Sequence, residues 1–195
     1  MKNRLMITML ILFAVFAGNV QATQWKLDPP HSSIQFDINH IFAVVSGQFT
    51  EFEADVVFDP QYLGKARFDF SVNVKSVNTL NNKRDNHLRS KDFFDADKFL
   101  VMTFKSSRIT HVKDNQYALE GMMTIKDVQR PAMMEFTFYG PRVHPLDTKS
   151  LVAGFETSFK LNRLDFHVGD GKFYKMGVVD DMVNIRISVE GLTDK

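Results

Sequence analysis

Residues 182–191 read MVNIRISVEG. Val183, Ile185, Ile187 and Val189 are apolar, and Asn184, Arg186 and Ser188 between them are polar. Successive side chains of an extended chain point to opposite faces, so this segment is oily on one side and wet on the other. It reads as a half-buried strand.

The same period recurs along the chain. SIQFDIN (33–39) sets Ile34, Phe36 and Ile38 against Gln35 and Asp37. ARFDFSVNVKS (66–76) sets Phe68, Phe70, Val72 and Val74 against Arg67, Asp69, Ser71 and Asn73. MMEFTFYG (133–140) offers Met134, Phe136 and Phe138, and GFETSFKLN (154–162) offers Phe155, Phe159 and Leu161. Further strands fit EADVVFD (53–59), VMTFKSSRI (101–109) and QYALEGMMTI (116–125). Turn residues fall between them at Asp59-Pro60, Asp114-Asn115, Lys126-Asp127, Gly140-Pro141 and Gly169-Asp170-Gly171. About eight strands with short links and little helix predict an antiparallel barrel or sandwich forming one domain.

Composition narrows what such a fold encloses. Phenylalanine occurs 19 times, against four tyrosines and one tryptophan. Phe brings area without a polar group that needs a partner, so it suits a dry lining. An eight-stranded barrel is just wide enough to be filled by its own side chains or to hold one small ligand. The pattern alone leaves a plugged barrel and a hollow one both open. The face assignment selects Phe36, Ile38, Phe58, Phe68, Phe70, Phe104, Met123, Phe136, Phe138, Phe155 and Phe159 as the inner wall. A charge at Phe136 is accordingly expected to abolish the holding of any apolar ligand on that wall.

The first residues carry an address. Lys2 and Arg4 precede an almost unbroken apolar run from Leu5 to Ala17, and small side chains follow at Val20 and Ala22. This order predicts a secretory signal peptide over residues 1–22 with cleavage after Ala22, hence a periplasmic or secreted protein. The run is also short for a bilayer-spanning helix, which needs about 20 apolar residues. Lys and Arg number 24 and Asp and Glu 23; without Lys2 and Arg4 the remainder carries −1, which gives no electrostatic footprint for nucleic acid. There is no cysteine, so neither a disulfide nor a thiolate metal site is available.

The segment NNKRDNHLRSKDFFDADKF (81–99) brings Arg84, Asp85, His87 and Arg89 up against Phe93 and Phe94. As a short helix it pairs Asp85 with Arg89 at the favourable acid-first spacing and turns Leu88 toward the barrel. As a catalytic site it lacks a nucleophile in any recognisable setting, and the structural reading is preferred. The six histidines, at 31, 40, 87, 111, 144 and 167, show no ligand spacing, although His31, His40 and His167 are free to converge in space. The pairs Met122-Met123 and Met133-Met134 should each send one sulfur inward as adaptable wall material.

WKLDPPHSSIQFDINH (25–40) followed by SGQFTEFEADVVFDP (46–60) resembles the opening of the YceI-like, periplasmic polyisoprenoid-binding family. SVNTLNNKRDNHLRSKDFFDADKF (76–99) is similar to that family's most recognisable segment, and GMMTIKDVQRP (121–131) and KLNRLDFHVG (160–169) resemble two others. The resemblance runs over the whole chain after residue 22. It implies a lipocalin-like, extended eight-stranded antiparallel β-barrel around a long apolar pore, with a short helical segment near residues 81–95 at one end. It implies an isoprenoid ligand, such as a quinone or polyprenyl tail, with a transport, storage or stress-response role and neither a catalytic centre nor a metal. It leaves room for transient contact with a membrane or a membrane redox protein, and for a homodimer. The same barrel holding a fatty acid or fatty amide is the alternative, and an enzyme at the mouth using His87 and Asp85 is the remote one. Three positions depart from the family pattern: His167 and Asp127 stand where Gly is usual, and Leu100 where Pro is common.

An isoprenoid tail has nothing to hydrogen-bond, so burial must bind it. At about 0.8 kcal/mol per buried CH₂ a five-carbon unit contributes roughly 4 kcal/mol. Eight units would sum to about 32 kcal/mol, beyond the practical ceiling near 18–21. Tail ordering must cancel much of that gain. The tail alone is therefore sufficient for affinity, and polar groups at the mouth need only set direction.

Overall fold

The structure, a computed structural model, describes residues 22–195. The leader expected over residues 1–22 lies, apart from Ala22, outside the described residues. Eleven strands form one antiparallel sheet: β1 (Gln24–Leu27), β2 (Ser33–His40), β3 (Ala43–Phe49), β4 (Phe52–Val57), β5 (Arg67–Asn73), β6 (Val77–Asn78), β7 (Val101–Lys113), β8 (Gln116–Ile125), β9 (Val128–Val143), β10 (Ser150–Asn162) and β11 (Val179–Asp194). They amount to the eight runs expected, because three of the runs are broken once. Pro29-Pro30-His31 forms a 3₁₀ turn between β1 and β2, where Pro has no N–H to give a ladder. Thr50 and Glu51 interrupt β3 and β4, and a 3₁₀ turn over Val74–Ser76 interrupts β5 and β6.

The runs follow one another around the barrel in chain order. β11 closes it, pairing with β10 on one edge and with both β1 and β2 on the other. The three breaks lie side by side and are stitched across: Thr50 N–H reaches Ser76 O at 3.2 Å, and Asn73 N–H reaches Glu51 O at 3.0 Å. Above this line the first three runs continue as β2, β3 and β6. The sheet bends there without opening.

Local chemistry sets the connections. Asp114 and Lys126 take positive φ, 46° and 54°, in the two-residue links β7–β8 and β8–β9. Gly140-Pro141, expected as a turn, instead stays inside β9 as a bulge opposite Ala153, with Gly140 at φ 112°. The real turn comes later, over residues 144–149. Of the 81–95 segment expected to be helical, Asn82–Arg89 form α1 and residues 91–94 are turns. Asn81 caps it by accepting from Arg84 N–H at 3.1 Å. A second, single-turn helix α2 (Lys172–Lys175) lies in the β10–β11 connection.

The two barrel ends differ. At the end holding the β4–β5, β7–β8 and β9–β10 links, aromatic rings fill the interior. Phe58, fully buried, meets Phe68, Tyr117, Phe136, Phe138 and Phe155 with ring centroids 4.9–5.7 Å apart, all at steep angles. Edge-to-face contacts of this kind add to what burial alone contributes. Trp25 closes the base, its indole N–H donating to Phe58 O at 2.9 Å. At the opposite end, with the β2–β3 turn, α1 and α2, the interior is hollow.

Candidate functional site

The hollow is a cavity of about 760 Å³, within the range of sites that hold a drug-sized ligand. Nine of the residues expected on the wall line it: Phe36 and Ile38 from β2, Phe68 and Phe70 from β5, Phe104 from β7, Met123 from β8, Phe136 from β9, and Phe155 and Phe159 from β10. Phe58 and Phe138 do not; they sit below the floor, inside the ring cluster. Alternation tells which face a side chain takes, and both do point inward. It says nothing of depth along the barrel axis. Phe136 belongs to floor and cluster together, so a charge there would break packing as well as the cavity.

Selecting wall residues by size passed over aliphatic ones. Val183, Ile185 and Ile187 of β11 line the cavity, paired across the sheet with Ile38, Phe36 and Ile34. The period of β11 already placed them inward. Leu88 of α1, Phe93, Phe94 and Phe173 complete the upper wall. Gly47 stands opposite Phe36 in β3, and a Cβ there would clash with the Phe36 ring. No buried side-chain N or O among the described residues lacks a partner, and the hydroxyl of Thr157, which lines the cavity from β10, donates to Glu135 O at 2.6 Å. As expected, each methionine pair sends one side chain inward: Met123 and Met134 are buried, Met122 and Met133 exposed.

Polar side chains gather at one end. His40, Asn81, Lys83, Arg84 and His87 line the cavity there, and Asn81, Lys83 and His87 are exposed, so the cavity reaches solvent among them. The contacts of the charged segment pin it in place. Asp85, buried, accepts from Thr79 N–H at 2.9 Å and from the Thr79 hydroxyl at 2.5 Å. Arg84 donates through Nε to the Thr79 hydroxyl at 2.7 Å and through Nη2 to Thr79 O at 2.8 Å. Arg89, expected to pair with Asp85, instead donates to Lys75 O at 2.8 Å and Val77 O at 2.6 Å. Backbone carbonyls left bare by the short β6 strand outcompete the surface ion pair. His87 does not meet Asp85 either; its Nε2 lies 3.1 Å from Asp92 and its ring stands edge-on to Phe93 and Phe173. Removing the clamp with Asp85→Ala leaves Thr79 N–H buried without an acceptor. It should cost about 1–3 kcal/mol, read as a lower denaturation midpoint in urea at unchanged slope.

The cover over the mouth is fastened from below. Phe93 and Phe173 stack 6.0 Å apart at 9°. Lys126 donates to Phe93 O at 2.7 Å and to His167 O at 2.6 Å, and burial lowers its pKa from the ordinary lysine value. Arg163, buried, donates to Val168 O at 2.7 Å and Asp180 O at 2.8 Å, binding the β10–β11 connection to itself.

Two of the departures from the family pattern meet in space. His167 takes the positive φ (55°) that suits glycine, and its Nδ1 lies 3.2 Å from the Asp127 carboxylate. The hydrogen bond from His167 holds the Asp127 carboxyl below its usual pKa. Leu100, the third departure, is exposed just before β7.

His31, His40 and His167 do not converge. His31 Nδ1 contacts Asp28 at 2.8 Å and Glu190 at 3.9 Å on the outer wall, which raises its pKa through the Asp28 hydrogen bond first. His40 is at the mouth and His167 on the β8–β9 turn.

A closed up-and-down barrel with one apolar chamber and a polar rim is a lipocalin-like binding fold. The chain belongs to the YceI-like domain family, whose profile matches residues 25–191. A UPF0312 protein of Yersinia enterocolitica is 31% identical over 92% of this chain and 91% of its own. Among solved structures, BcnA of Burkholderia cenocepacia superposes with a TM-score of 0.77 at 24% identity, over 85% of this chain and 99% of that one. A polyisoprenoid binding domain from Saccharophagus degradans superposes with a TM-score of 0.64 at 12% identity, over 88% of this chain and 98% of that one.

Proposed function

We propose that this protein is a periplasmic carrier or store for a long isoprenoid lipid, such as a quinone or polyprenyl tail, held inside the barrel. One observation carries the reading. The chamber is large and lined mostly by Phe, Ile, Val, Leu and Met, and the Thr157 hydroxyl on its wall already donates to Glu135 O. Such a wall rewards apolar area and nothing else. The polyisoprenoid binding domain of Saccharophagus degradans, similar in fold, supports the ligand class. The apolar leader with its basic start supports the compartment.

Lys83, Arg84 and His40 at the rim favour a second reading, a fatty acid whose carboxylate faces them. A length series separates the two. Unbranched fatty acids and prenols of rising carbon number are titrated against delipidated protein. For an isoprenoid carrier, prenol affinity climbs steeply with each added unit and then levels once the chamber is full, and prenols exceed fatty acids of equal carbon number. Fatty acids binding more tightly at every length would transfer the site to the second reading. Affinity independent of length would contradict both.

A further inference from the structure

The mouth carries apolar side chains that nothing in the fold covers. Ile41 and Phe42 form the tip of the β2–β3 turn, and Phe42 projects its whole ring into solvent, 103% exposed. Val44 follows on the outer face of β3. Beside that turn, Tyr174 and Met176 are exposed on and just after α2. The two lips belong to one rim, because Ile41 N–H donates to Val178 O at 3.0 Å and Val178 lines the cavity.

Charge on the rim is one-sided in its engagement. Lys83, Lys172 and Lys175 are exposed and make no ion pair among the described residues. The nearby carboxylates are occupied: Asp92 by His87, Asp127 by His167, Asp165 by Arg130, Asp180 by Asn39 and Asp181 by Asn162. Asp170 accepts from the backbone N–H of Lys172. The three lysines have no such partner and are left for an outside one.

We propose that this rim is a docking surface for a lipid bilayer bearing anionic headgroups. Ile41, Phe42, Tyr174 and Met176 enter the interface and Lys83, Lys172 and Lys175 meet phosphate. Apolar tips flanked by unpaired lysines are the composition that binds such an interface. The inference rests on the lipid-carrier reading for its purpose: the same rim opens onto an apolar chamber, so a tail can pass from bilayer to barrel without crossing water. The occupant is a membrane rather than a second copy of this chain, because the apolar tips border the opening through which a tail has to enter the chamber.

The test uses the full protein with vesicles of phosphatidylethanolamine and phosphatidylglycerol, and with phosphatidylcholine vesicles as the neutral control. Partition is read by co-sedimentation, and bound lipid is measured separately on the same preparations by solvent extraction. The protein should partition onto the anionic vesicles. The pair Ile41→Ser and Phe42→Ser, outside the cavity wall, should lower that partition at least about tenfold while leaving extracted lipid unchanged. The pair Lys172→Glu and Lys175→Glu should remove the preference for anionic vesicles. Wild-type protein that ignores both vesicles, or serine variants that partition as well as wild type, would overturn the proposal. So would a dimer in solution that dissociates on Phe42→Ser without any vesicle binding. Protein that partitions as described yet yields no extractable lipid would refute the carrier reading and leave the docking surface standing.

Discussion

Ile185→Asp should abolish prenol binding and leave the barrel folded. Ile185 sits mid-wall on β11, between Phe36 of β2 and Phe159 of β10 in the ladder. In the empty protein, water in the chamber can hydrate the new carboxylate. A tail displaces that water and leaves the charge beside an apolar chain, with Phe36 and Phe159, not a cation, as its partners across the sheet. The least costly escape is protonation. At pH 7 that means moving a group with pKa near 4 by about three units, or about 4 kcal/mol at 1.36 kcal/mol per unit. Affinity should therefore fall about a thousandfold. The mechanism has its own signature: the loss shrinks as the solution approaches pH 4, where the carboxyl protonates at little cost. Ile185→Asn should lose less, and Ile185→Leu almost nothing. A variant that keeps wild-type affinity at pH 7 with native circular dichroism would place the ligand elsewhere.

Phe58→Ala tests the other half of the barrel and should give the converse result. Phe58 is wholly buried, in contact with five rings, and its carbonyl anchors the Trp25 indole. Truncation leaves a hole that surrounding strands cannot close, since each ring around it is also held by others, as Phe68 is by Phe136 and Phe155. Phe→Ala at such sites costs about 3–5 kcal/mol, which for a domain of this size lowers Tm by roughly 6–20 °C. Yet Phe58 does not line the chamber. Prenol affinity of the folded variant should stay within about threefold of wild type, because Phe68, Phe136 and Phe155, which line the chamber, also hold one another in place. Floor and chamber are thereby separated: one residue carries stability without binding, the other binding without stability.

Much of this was legible in the strands themselves. The period of two in SIQFDIN, ARFDFSVNVKS and MVNIRISVEG assigns inner faces that the fold keeps: Ile34, Phe36, Phe68, Phe70, Ile185 and Ile187 all face the chamber. The family segment around residue 87 was legible as a pinned helix, and α1 is there. Three things were not. Depth along the axis has no periodic signal, so Phe58 and Phe138 looked like wall although they are plug. Ladder breaks depend on how neighbouring runs align, so the kink line through residues 29–31, 50–51 and 74–76 could not be read from any one run. Hydrogen-bond competition decides short-range pairing, and Arg89 took the carbonyls of Lys75 and Val77 over Asp85. Gly140-Pro141 failed as a turn for a related reason. Those residues also satisfy a bulge, and the partner strand fixes which is used.

The central claim is that the upper barrel encloses a lipid rather than empty or water-filled space. Native mass spectrometry of protein freshly purified from its envelope fraction tests it most directly. The account expects a population heavier than the polypeptide by the mass of a polyprenyl or quinone lipid, lost on organic extraction and restored by adding a long prenol. A spectrum showing only the bare polypeptide, unchanged when long prenols are supplied to the extracted protein, would contradict it.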